Sequence, residues 1–103
     1  MEKEYHYTLV SNEARIDIRW KMIGKKITFF AINLGLLKGD SIEEVYRVDT
    51  AHGYLHEQRF WVSPRPKRLD QTDYNTAFVQ KKEQVITNMK RWVELYKKVK
   101  GYE

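Results

Sequence analysis

The stretch Ala14-Arg-Ile-Asp-Ile-Arg-Trp-Lys-Met22 alternates without a break. Ile16, Ile18, Trp20 and Met22 interleave with Arg15, Asp17, Arg19 and Lys21. On a pleated strand a period of two sends each set to its own face. One face is then buried and the other wet, the pattern of an antiparallel sheet packed on one side. Whatever this chain folds into must include such a sheet.

The flanking residues extend it. Tyr5 to Val10 is aromatic and β-branched and reads as a strand, followed by a turn at Ser11-Asn12-Glu13. Ile23-Gly24-Lys25-Lys26 reads as a hairpin turn, with Gly24 supplying positive φ. Ile27 to Leu37 is apolar on both faces, which predicts a central strand covered on its second face, with a bulge at Gly35. After the Lys38-Gly39-Asp40 turn, Ser41 to Thr50 is a mixed strand, His52-Gly53 turns the chain, and Tyr54 to Val62 returns. The expectation is a five-stranded antiparallel meander over residues 1–62.

Ser63-Pro-Arg-Pro-Lys-Arg-Leu69 follows. Its two prolines exclude helix and central strand, so 63–69 is expected to be a solvated, basic, extended linker. A cap within Asp70–Asp73 then opens a helix, and Tyr74 to Lys100 runs without Gly or Pro. Phe78, Val85, Met89, Trp92, Val93, Tyr96 and Val99 fall on one stripe at helical spacing. A helix over 70–100, about 40 Å of it at ~1.5 Å per residue, covers the sheet. Residues 1–103 are thus one domain of the α+β class: an antiparallel β-meander of about five strands under a long C-terminal helix.

Composition narrows the function classes. The chain has no cysteine, which removes disulfides and thiolate metal sites and fits a reducing interior. The start, Met-Glu-Lys-Glu-Tyr-His, has no apolar core of a signal peptide, and no apolar run approaches the ~20 residues of a membrane span. The expected location is cytoplasmic, with no membrane partner. Net charge is +5 and uneven. Residues 1–58 hold eight Lys/Arg against nine Asp/Glu, whereas residues 59–100 hold eleven against four. A basic half suggests a polyanion partner such as RNA, although many small domains are this basic for solubility alone. No Gly-rich phosphate loop, nucleophile elbow, zinc finger or RNP-type motif is present. His6, in the first strand, has no second histidine nearby in sequence and reads as a surface or packing residue.

The candidate site is the last hairpin. Asp49, His52, His56 and Arg59 fall within eleven residues, with Gly53 at the turn. If His52-Gly53 is a two-residue loop, Asp49 sits opposite His56 and Arg47 opposite Gln58. Arg47, Asp49, His56 and Gln58 then share one face, and Tyr46, Val48, Leu55, Glu57, Arg59 and Trp61 the other. A loop one residue longer breaks this grouping. Facing His56, Asp49 orients the imidazole and stabilises its charged form. Two imidazoles and a cation suit RNA cleavage by the 2′-hydroxyl: one takes its proton, the other protonates the leaving oxygen, and Arg47 or Arg59 stabilises charge on the phosphate. Arg65, Lys67 and Arg68 in the linker are further phosphate contacts. The alternatives are histidines at a turn with no chemistry, or three metal ligands in Asp-x2-His-x3-His. The second is disfavoured because His-x3-His normally relies on helical spacing to align its rings. No metal or other cofactor is expected.

The run Val48-Asp49-Thr-Ala-His52-Gly53-Tyr-Leu-His56 resembles the central motif of the TumE-like family of small proteins. That motif runs Asp, two or three residues, His/Arg-Gly or Lys-Gly, a short gap, then His; Asp49, His52, Gly53 and His56 match it. The resemblance covers roughly residues 27–100 and implies strands followed by a C-terminal helical region. It also implies a toxin component of a toxin–antitoxin pair, with an antitoxin protein as partner and RNA cleavage as activity. The competing expectations are a non-enzymatic nucleic-acid- or protein-binding module, and a homodimer formed through exposed strand edges.

Overall fold

The structure, a computed structural model, describes residues 1–63 and 65–102, so Pro64 of the expected linker and Glu103 lie outside it. Strands β1 (Glu2–Ser11), β2 (Ala14–Ile23), β3 (Lys26–Lys38), β4 (Ser41–Asp49), β5 (His56–Arg59) and β6 (Lys67–Arg68) precede helix α1 (Tyr74–Lys100). The strands form one sheet in the order of the chain, each antiparallel to the last. The α+β meander under a C-terminal helix is as expected.

Two elements differ from expectation. The fifth strand stops at Arg59, where Val62 and Ser63 donate their N–H groups back to its carbonyl at 2.9 and 3.1 Å. Lys67 and Arg68 are not a free linker but pair with Glu57 and His56 as a sixth strand. An edge strand tolerates nearby proline because only one side of its backbone is paired.

Helix α1 covers one face of the sheet. Ile16 and Ile18 of β2, Ile32 and Leu34 of β3, and Tyr46 and Val48 of β4 are buried beneath it. From the helix come Ala77, Phe78, Val85, Trp92, Val93 and Tyr96. Each buried aliphatic side chain contributes about 1.5–3 kcal/mol. Val99 belongs to the expected stripe but is 61% exposed. The chain reverses at Gly101, whose φ is 75°, and Tyr102 packs against the core instead. The Tyr102 and Tyr96 hydroxyls both donate to Glu43, at 3.0 and 2.8 Å.

Polar contacts pin the helix at both ends. Asn75 accepts the Ile27 N–H and donates to the Lys25 carbonyl, both at 2.8 Å. Lys97 Nζ lies 3.0 Å from Glu13 Oε1. No helix among the described residues is long and apolar enough to cross a membrane.

The opposite face of the sheet has no second layer among the described residues. The expectation that β3 is covered there is corrected by residue size. Ala31 and Gly35 are buried because they are small beside longer neighbours, and Arg19 and Lys21 reach over the Phe29 ring at 5.7 and 5.6 Å. The β3–β4 register shifts between Leu34 and Gly35, as the glycine suggested. A methyl at Gly35 would run into Ile42 Cγ2.

Two outcomes are expected. Gly35→Ala lowers stability to urea by about 1–2 kcal/mol through overpacking, and Ile42→Ala in the same chain restores part of it. Asp73 caps the helix, and its carboxyl is held below the ordinary carboxylate value, chiefly because it accepts the Thr76 N–H. A depressed folded value stabilises above the unfolded one, near 3.8, and that contribution fades as pH falls through the folded value. Asp73→Ala therefore melts below wild type at neutral pH, and the gap narrows below about pH 4 in melts followed by circular dichroism.

Candidate functional site

The β4–β5 hairpin sets the site. Asp49 pairs with His56 and Arg47 with Gln58, the register read from the sequence. The loop, however, is longer than two residues: the ladder ends at Asp49 and His56 and leaves Thr50 to Leu55 between them. Six residues are an even number, so the facing of every side chain is kept. The local reason is visible at both loop ends. Thr50 exchanges hydrogen bonds with Phe30 of β3, through its N–H and its Oγ1, both at 3.1 Å. Leu55 is buried in the core, and its carbonyl accepts the Leu69 N–H at 2.9 Å. Between them Gly53, at φ 83°, donates to the Thr50 carbonyl and closes the turn.

On the face away from the helix, His56 Nε2 lies 3.0 Å from Asp49 Oδ1. His56 is only 4% exposed. Asp49 Oδ1 also accepts the Ala51 N–H at 3.0 Å, which fixes the carboxylate. With Nε2–H given to Asp49, the neutral imidazole keeps its lone pair on Nδ1. That Nδ1 is buried and has no hydrogen-bond partner among the described residues. The His52 ring stacks on His56 with centroids 5.6 Å apart, and Tyr54 lies 5.5 Å from the same ring. His52 itself is exposed at the loop tip.

Two cations border this group. Arg47 Nε is 4.0 Å from Asp49 Oδ2 and has no hydrogen-bond partner among the described residues. Arg68, opposite His56 on β6, lies 4.6 Å over the Tyr54 ring. Of the residues singled out in the sequence, Asp49, His52, His56, Arg47 and Arg68 are thus brought together. Arg59, Arg65 and Lys67 are not. Arg59 alternates with Gln58, so its guanidinium lies on the helix side, 5.2 Å over Trp92. Lys67 pairs with Glu57 on β5, and Arg65 lines the same cavity as Glu57 and Arg59.

No group of three metal-ligating side chains among the described residues is placed to hold an ion. His56 Nε2 is taken by Asp49, and His52 meets His56 face to face rather than converging on a point.

Sequence reasoning missed a second polar cluster. Glu57, 7% exposed on the core-facing side, accepts the Tyr46 hydroxyl at 2.6 Å and lies 3.4 Å from Lys81 Nζ. The signal was available, because an acid that alternates in phase with Tyr46, Val48 and Leu55 must point inward.

The chain belongs to the family Domain of unknown function (DUF7718), which it matches over residues 1–102. No curated protein and no solved structure matches it. The family description names no activity, so the chemistry rests on the residues themselves.

Asp49→Ala leaves the buried Nε2–H of His56 unpaired. The expected cost is about 1–3 kcal/mol in urea unfolding, and about half or less of that when His56 is first replaced by Leu. Equal costs in both backgrounds would mean that the pair does not form.

Proposed function

We propose that this DUF7718 domain acts on RNA as the toxin component of a toxin–antitoxin pair and cleaves the strand without a metal. The observation that carries the reading is the buried His56. It is held by Asp49, its Nδ1 has no partner among the described residues, it sits against a second histidine, and Arg47 and Arg68 border the group. The resemblance of Asp49, His52, Gly53 and His56 to the TumE-like motif supports the same reading.

In this mechanism His56 Nδ1 takes the proton of a 2′-hydroxyl. The 2′-oxygen bonds to phosphorus, and the bond from phosphorus to the 5′-oxygen breaks. Protonated His52 gives its proton to that oxygen. The products are a 2′,3′-cyclic phosphate and a 5′-hydroxyl, so atoms and charge balance. Arg47 and Arg68 neutralise the phosphate as charge develops on it. Asp49 holds the imidazole in the tautomer that leaves Nδ1 free.

The burial of His56 also favours a second reading, a nucleic-acid- or protein-binding module in which His56 only stabilises the hairpin. One experiment separates them. Purified protein is incubated with single-stranded RNA, with and without chelator. Cleavage to cyclic-phosphate ends, unaffected by chelator and reduced about 100-fold or more by His56→Ala, is expected. No cleavage by wild type, or equal cleavage by the variant, would overturn the enzymatic reading. Salt-sensitive RNA binding that survives loss of both His52 and His56 would then establish the binding module.

A further inference from the structure

We propose a second, separate site: the cavity beside the chain that follows β5 binds a phosphate group carried on a nucleotide-sized ligand. This cavity measures about 600 Å³ and is lined by Glu57, Arg59, Ser63, Arg65 and Lys67, with Val62 and Pro66. It lies on the other face of the sheet from His56, because Glu57 and Arg59 alternate with His56 and Gln58 along β5. The proposal therefore does not depend on the cleavage reading.

The cavity has a fixed floor. The Glu57 carboxylate is buried, with Oε2 bound by the Tyr46 hydroxyl at 2.6 Å and by Lys81 at 3.4 Å. Its Oε1 lies 3.6 Å from Arg59 Nε, and the Arg59 guanidinium rests on Trp92. Burial, then the hydrogen bond to Glu57, pushes the Tyr46 hydroxyl well above the ordinary tyrosine range, so it stays a neutral donor. The carboxylate thus holds Arg59 and Lys81 in place.

Charge decides the ligand. Arg59, Arg65 and Lys67 are three cations lining the cavity beside the single carboxylate of Glu57, which Lys81 also neutralises. Arg65 and Lys67 are exposed, and no carboxylate among the described residues pairs with either side chain. Ser63 Oγ accepts the Arg65 N–H at 3.1 Å, which leaves its own O–H to donate. Arginine forks, an ammonium and a hydroxyl are the donors that recognise phosphate oxygens. The volume far exceeds a bare phosphate and falls in the range of small-molecule sites, about 300–1,000 Å³. The same phosphate chemistry is offered by a free nucleotide and by one nucleotide of an RNA strand.

Trp61 and Trp92 lie 5.4 Å apart, and Trp92 carries Arg59, so tryptophan fluorescence reports on the cavity. The full chain is titrated with adenosine 5′-monophosphate and, separately, with a short single-stranded RNA. Saturable binding of at least one probe is expected, weakened about tenfold or more by Arg65→Ala with Lys67→Ala. Removing the same charge from the helix, by Lys90→Ala with Lys98→Ala, is expected to change affinity less than about twofold. Binding of the mononucleotide identifies a free nucleotide as ligand, and binding of the oligonucleotide alone identifies the RNA backbone. The mononucleotide has no phosphodiester to cleave, so its titration reads binding alone, which keeps this test apart from that of cleavage. No saturable binding of either probe, or equal weakening by the two double variants, would overturn the proposal.

Discussion

The hydrogen bond between His56 and Asp49 exists only in one register of the β4–β5 hairpin, and the placement of β5 and β6 on the sheet depends on the same register. Side chains alternate, so placing Asp49 opposite His56 also sends Tyr46, Val48, Glu57 and Arg59 towards the helix. A slip of β5 by one residue would drive His56 into the core, away from Asp49, and turn Glu57 and Leu55 out to water. The hydrophobic burial of Leu55, 1% exposed, is what makes such a slip costly. The polar pair is thus positioned by core packing on the face behind it.

The division into two faces also divides the charges. The face away from the helix keeps Arg47 and Arg68 beside the histidines. The helix face takes Arg59, and with it Glu57 and Lys81, into a cluster around Tyr46. Lys67 and Arg68 are adjacent in sequence yet serve opposite faces, because β6 is a paired strand and not a loop. One short basic strand at the sheet edge therefore supplies a cation to each of two candidate sites.

Much of the fold was legible in the chain. The unbroken alternation of Ala14–Met22 and the run without Gly or Pro from Tyr74 to Lys100 each admit one periodicity, and both formed the expected element. The site register was legible for a different reason: a loop of six residues preserves the parity of a loop of two, so Asp49 meets His56 either way. What stayed hidden depends on contacts between distant segments. Lys67 and Arg68 carry no strand pattern of their own and pair only because β5 offers a free edge. Val99 sits at the right helical angle, but the reversal at Gly101 gives its place in the packing to Tyr102. The stacking of His52 on His56 follows from the turn at Thr50–Gly53, which spacing alone does not specify.

Asp49 holds a buried His56 with its proton on Nε2 and its lone pair on Nδ1. Long-range nitrogen–proton correlation spectra of the histidine side chains, taken at a pH where the imidazoles are neutral, read this directly. The Nε2–H tautomer is expected for His56, with a slowly exchanging Nε2 proton that is lost from the spectrum in Asp49→Ala. An Nδ1–H tautomer, or a His56 proton that exchanges as fast as that of exposed His6, would contradict it.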